Sequence, residues 1–188
     1  MKSINNIEDF QKFSSPEEVE KWVERNYTKN QLNKFNLSLN LEEPIALYKG
    51  SGYQRMNGIL RAKTRDKGIK LPHDIISFQE QLSGMKAPGD MVATRFAGLG
   101  EAIRLFRLTI FKKVVVFDSF LSTTLLKDYY SMSNIKNGRV PISIYIPKGT
   151  PGMYIPEVNP DLPEFEFLIP YGVMLKRIGS RKYLVVSE

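Results

Sequence analysis

Residues 153–172 read MYIPEVNPDLPEFEFLIPYG, and the fold turns on how this stretch divides. Its middle, 156–163, holds three prolines, Asn159 and Asp161, residue types that set turn geometry, so it reads as a turn-rich loop. The loop delivers Glu164-Phe165-Glu166 to the head of an apolar run that fits a strand. In a strand, residues i and i+2 face one side, so both carboxylates are expected to project together with Phe165 opposite. Paired like charges cost energy unless something compensates them. The plain alternative is an exposed edge strand whose charges block edge pairing.

Working outward, the C-terminal half carries further β-rich runs at 91–96, 114–117, 142–146, 167–170, 173–178 and 183–186, separated by Gly and Pro clusters. Ile142, Ile144 and Ile146 alternate with Ser143 and Tyr145, the pattern of a half-buried strand. Residues 101–108, between the first two runs, suit a helix. The N-terminal half is helical in pattern. Ser15-Pro16-Glu17-Glu18 combines a capping Ser, a Pro at the first helical position and an early acid, and Val19, Trp22 and Val23 follow as an apolar stripe. A second helix is expected from about 51 to 61. A third follows Pro72, with Asp74 as its cap and Ile75, Phe78, Gln79 and Leu82 on one side. Helices first and strands later predict one α+β domain over 1–188, with 1–86 mainly helical and 87–188 mainly β.

Composition narrows the chemistry. The 188 residues are 42% hydrophobic and 25% charged, close to a soluble globular average. With no Cys and one His, His73, thiolate metal sites, disulfides and Cys/His nucleophile pairs are excluded. Catalysis must rest on carboxylates, Arg, Lys, Ser, Thr and Tyr. No apolar run reaches the ~18 residues of a membrane span. The opening MKSINNIEDF has no apolar signal core, so no secretory peptide is expected. The net charge of +7 favours anionic partners, but no nucleic-acid motif accompanies it, so nucleic-acid binding is not the expected role.

Two further segments carry polar groups in strand context. MVATRFAG places Arg95 inside a strand after the loop 87–90, where a surface or ion-paired role is the bland expectation. VVVFDSFLSTT runs an apolar strand into Ser122-Thr123-Thr124, hydroxyls able to bond a carboxylate or a sugar, although β-propensity alone accounts for Thr there.

In this order, Arg95, Ser122-Thr123-Thr124 and Glu164-Phe165-Glu166 resemble the arginine–serine–glutamate class of mono-ADP-ribosyltransferases. That class includes the actin-modifying subunits of clostridial binary toxins and the Rho-modifying exoenzymes. Tyr53-Gln-Arg-Met-Asn57-Gly-Ile-Leu60-Arg61 matches the class helix Tyr-x-x-x-Asn-x-x-Leu-Arg, and the resemblance spans 47–186. Departures are Thr124 for a Ser, Phe96 where the binary toxins tend to have a second Arg, and a short interval from Arg95 to Ser122. Lys49, in ALYKG, is a rival for the active-site cation, but the class order favours Arg95.

The resemblance implies two roughly perpendicular antiparallel-type sheets, N-terminal helices on one side, and a cleft for NAD as substrate with no metal. Glu166 would hold the ribose hydroxyl and stabilise an oxocarbenium-like centre, as in glycoside hydrolysis. Ser122 would fix the Glu166 carboxylate, and Arg95 would grip the pyrophosphate. Glu164 would orient an acceptor guanidinium and draw off its proton, and Glu rather than Gln there implies arginine. Tyr53, Asn57 and Thr123 fall at NAD-contacting positions. Tyr130 and Arg139 fall in the class phosphate–nicotinamide loop, and Tyr154 and Leu162 in its protein-recognition loop, 153–163. The implied partner is a target protein bearing an acceptor arginine: actin, a small GTPase or a bacterial protein. The implied setting is a monomeric secreted or injected effector in a target-cell cytoplasm, or a phage-encoded enzyme. Two rivals stand beside it: an NAD glycohydrolase toxin, and a basic, non-catalytic binding module of the same fold.

Overall fold

The computed structural model describes residues 6–29, 44–112, 114–126, 138–155 and 164–186. Helix α1 (Pro16–Asn26) starts as its sequence requires, with the Ser15 hydroxyl accepting from the Glu18 amide and Pro16 in the first turn. Glu18 reaches back to Ser14, whose amide and hydroxyl both donate to Oε2. Val19, Trp22 and Val23 are buried, and Trp22 meets Phe13 and Tyr27 edge-on. Helix α2 (Pro44–Leu47) passes through a π-helical turn (Tyr48–Gly52) into α3 (Tyr53–Arg65). A Cβ on Gly52 would run into the Leu47 carbonyl, so this wide turn requires glycine. Helix α4 (His73–Gly84) buries Ile75, Phe78 and Leu82 as expected. Its cap position is held by Pro72, while Asp74 sits in the first turn and pairs with Arg55 of α3.

The strands are β1 (Met91–Gly98), β2 (Val114–Val116), β3 (Leu121–Thr124), β4 (Arg139–Ile146), β5 (Met153–Tyr154), β6 (Glu166–Ile169), β7 (Met174–Gly179) and β8 (Lys182–Val186), with α5 (Leu99–Phe111) between β1 and β2. They form one mixed sheet in the order β2-β7-β8-β4-β1-β3-β6-β5, which corrects the expected pair of antiparallel sheets. Every neighbouring pair is antiparallel except β4 with β8. The reason lies at a seam. β1 pairs with β4 along its whole length, from Met91↔Ile146 to Gly98↔Arg139, but with β3 only at Thr94↔Thr124. That one pairing keeps the two halves continuous. The run VVVFDSFLSTT is likewise two strands. It breaks at 117–120, where Asp118 and Ser119 are buried, and the chain crosses from the β2 edge to β3 on the far side of β1.

The sheet pleat sorts the core. Phe167 and Ile169 of β6 join a cluster with α1, Leu105 of α5 and the Ile142–Ile144–Ile146 row. Leu168, the alternate residue, joins Tyr48, Met56, Leu60, Phe78 and Phe120 beneath α3 and α4. Glu166 has the parity of Leu168 and so belongs on the α3/α4 side.

Candidate active site

A cleft of about 330 Å3 opens at the seam, lined by Thr94, Arg95 and Phe96 of β1, Ser122, Thr123 and Thr124 of β3, Arg139 of β4, and Glu164 and Glu166. A sheet joined by one residue pair leaves its neighbouring backbone free to line a pocket. Arg95, the Ser122–Thr124 run and the Glu164/Glu166 pair meet here.

The two acids converge by a route other than strand alternation. β6 begins only at Glu166, and Phe165 before it has φ +47°. A bulky residue in the left-handed region costs on the order of 1–3 kcal/mol and persists where its surroundings over-determine it. Here Phe165 is buried and its carbonyl accepts from the Leu125 amide. The kink brings both carboxylates to one ammonium. Lys49 Nζ donates to Oε2 of Glu166 at 2.8 Å and also to Oε2 of Glu164. The Glu164 side chain is 55% exposed, whereas those of Glu166 and Lys49 are 7% and 10% exposed. Burial works against the Lys49 charge, but Glu166 and Glu164 more than offset it and hold its pKa above the ordinary lysine value. The adjacent Tyr48 phenol is also raised, by burial and by the Glu166 charge. Lys49 is thus part of the site, the compensating cation that paired carboxylates need. Its π-helical turn is a feature frequent at functional sites.

Arg95 lines the same cleft. Its Nε and Nη2 form a fork with both Glu101 oxygens at 3.1 Å, and Nη1 donates to the Ser122 carbonyl at 3.1 Å. Arg95 therefore bolts β1 to β3 where the ladder is weakest. A guanidinium has five N–H donors, so these three bonds leave two without a partner among the described residues, available to an anion in the cleft. Glu101, in the first turn of α5, was not singled out in the sequence; an acid six residues after a strand Arg, opening a helix, is the signal it offered.

The hydroxyl strand behaves unevenly. Thr124 stands opposite Glu166 and Ser122 opposite Leu168, so register puts Thr124 nearer the Glu166 backbone. Thr123 points to the core, with Oγ1 donating to the Phe167 carbonyl at 2.7 Å. No hydrogen bond between Ser122 and the Glu166 carboxylate is recorded among the described residues; Ser122 shares its face and cleft. Arg139 lies at the rim, its Nη1 3.4 Å from the Phe96 carbonyl.

Other expected contacts lie elsewhere. Asn57 is buried under the site, where Oδ1 accepts from the Phe120 amide at 3.0 Å and fixes the entry to β3. Tyr53 is 45% exposed on α3, edge-on to Tyr48 and outside the cleft lining. Tyr154 belongs to β5 rather than to a recognition loop. It is 7% exposed against Tyr27, because the β5–β6 pairing turns it into the core. Tyr130 and Leu162 lie outside the described residues.

An acid pair, an Arg and a hydroxyl strand line one cleft. The chain belongs to the ADP-ribosyltransferase exoenzyme family, whose model matches residues 19–185. Among solved structures, the Clostridium limosum C3 exoenzyme is similar at TM-score 0.72 and 15% identity, covering 97% of this chain and 100% of that one. C3stau2 from S. aureus, solved with NAD, is similar at TM-score 0.64 and 16% identity, covering 95% and 99%. The enzymatic component C2-I of the C2-toxin from Clostridium botulinum is similar at TM-score 0.60 and 20% identity, covering 88% of this chain and 44% of that one. No curated protein sequence matches. Among the described residues, no helix is long and apolar enough to cross a membrane and no group of potential metal ligands occurs.

Proposed function

We propose that the chain cleaves NAD and transfers its ADP-ribose to an arginine of a target protein. The observation that carries this reading is the convergence of Glu164 and Glu166 on the cleft that Arg95 lines, within a family of ADP-ribosyltransferases. The cleft volume falls within the ~300–1,000 Å3 of ligand pockets. Glu166 would be the anion that faces the ribose, a role its burial and its ion pair with Lys49 support. The glycosidic bond breaks with its electron pair going to the nicotinamide ring nitrogen, and positive charge develops on the ribose carbon. The two free Arg95 donors suit the pyrophosphate. A guanidine nitrogen then forms the new bond to that carbon, and the displaced proton passes to Glu164, the more exposed acid.

The same reading takes the enzyme to be a single catalytic domain and a monomeric toxin or effector acting inside a target cell, on actin, a small GTPase or a bacterial protein. A second reading, hydrolysis with water as acceptor, is favoured by one observation: Lys49 already holds an oxygen of Glu164. The test is labelling of mixed eukaryotic and bacterial lysates with NAD carrying a labelled ADP-ribose. Hydroxylamine-sensitive protein bands are expected. Nicotinamide release without bands in any lysate would favour hydrolysis, and intact NAD would refute both.

A further inference from the structure

Resting on that reading of Glu164 and Glu166, we propose that Lys49 is the residue that sets acceptor selectivity, by holding the carboxylate oxygens that an incoming guanidinium must take. A guanidinium pairs best with a carboxylate as a fork, two parallel N–H bonds to the two oxygens of one group. Lys49 Nζ donates to Oε2 of both acids, so one acceptor site on each is taken by a cation that an incoming guanidinium must share or displace. The ammonium also sets one positive charge against an arriving one. Water has no charge to be repelled and needs no fork.

The placement is built in. Lys49 is carried on the π-helical turn beside Tyr48, whose ring is fixed between Phe78 and Phe120 with centroids at 5.2 and 5.5 Å. Its side chain is 10% exposed, so it does not wave in solvent. The acids come from a chain segment 115–117 residues away, which makes the bridge a tertiary device. Transfer to arginine then requires the target to displace the ammonium, whereas hydrolysis proceeds with it in place. Lys49 thereby disfavours free guanidines and leaves the advantage to an acceptor anchored by a protein surface.

The probe is agmatine, a guanidine without a protein attached, titrated calorimetrically into the NAD-free protein. Native chain, Lys49→Met, Lys49→Gln, Lys49→Arg and Lys49→Met with Glu164→Gln are compared, each checked by its thermal melt. Lys49→Met and Lys49→Gln are expected to bind agmatine about tenfold more tightly than the native chain, the factor that 1.4 kcal/mol represents. Lys49→Arg, which keeps the cation, should match the native chain, and the double variant should lose the gain. With NAD present, the ratio of ADP-ribosyl-agmatine to free ADP-ribose should rise in Lys49→Met. A folded Lys49→Met or Lys49→Gln that binds agmatine no better than the native chain overturns the proposal. If agmatine binding tightens as expected while NAD stays intact in every variant, the competition between Lys49 and a guanidinium for the acids stands and the proposed catalysis fails.

Discussion

Replacing Asn57 by Ala is expected to destabilise the protein in the absence of any ligand. The Asn57 Oδ1 accepts from the Phe120 amide at 3.0 Å, and Asn57 and Phe120 are only 9% and 1% exposed. Alanine leaves that buried N–H without its partner, and an orphaned buried donor costs about 1–3 kcal/mol. At roughly 2–4 °C per kcal/mol for a chain of this size, a cost near 2 kcal/mol lowers the melting temperature by about 4–8 °C. The bond enters one residue before β3, so the same change loosens Ser122 and Thr124 in the cleft, and NAD turnover should fall alongside stability. Differential scanning calorimetry of the NAD-free native and Asn57→Ala proteins reads the first effect directly. A melting temperature unchanged to within about 1 °C, with turnover lost, would refute the reasoning and make Asn57 a ligand contact instead.

Tyr154→Ala should be a stability lesion: truncating a buried aromatic costs about 3–5 kcal/mol, so urea unfolding should shift strongly and NAD cleavage and protein modification should fall together. Arg95→Lys keeps the charge but loses the fork to Glu101, so the KM for NAD should rise about tenfold or more, read in initial-rate kinetics of nicotinamide release. Burial raises the Tyr27 phenol from 10.0 to about 12. The folded state therefore keeps a proton that the unfolded chain loses, and the associated stability, present in full below pH 10.0, is lost as pH rises through about 12. Urea titrations at stepped alkaline pH should show native stability falling on the order of 2–3 kcal/mol more than that of Tyr27→Phe across this window.

What was legible in the sequence was what is local. The Ser15–Pro16 start of α1 lies within a few residues of chain, and the Ile142–Ile144–Ile146 alternation is a property of one strand. An ordered set of motifs picks out Arg95, Ser122 and the acid pair together, and the fold brings them to one cleft. The continuity of the sheet was not legible, because it depends on the Thr94↔Thr124 pairing between strands whose separation nothing local encodes. The Phe165 kink was hidden by a sequence that reads equally well as plain strand, and its left-handed backbone is imposed by burial and by the Leu125 amide. Tyr154 was misplaced for a related reason: a short strand beside prolines looks like a loop until its partner, Phe167, is known. Chain order favours Arg95 over Lys49, whose partners are more than a hundred residues away and are named only by the tertiary structure.

Glu166 is proposed as the anion on which NAD cleavage depends, and Glu164 as the acid that serves the acceptor. Nicotinamide release and ADP-ribosyl-agmatine formation, measured side by side for the native chain, Glu166→Gln and Glu164→Gln, test this proposal most directly. Glu166→Gln is expected to lose about 10²–10³-fold in nicotinamide release, the scale of removing a preorganised electrostatic contact, and to form no agmatine adduct. Glu164→Gln should still release nicotinamide while losing the adduct. Glu166→Gln releasing nicotinamide at the native rate would contradict the account.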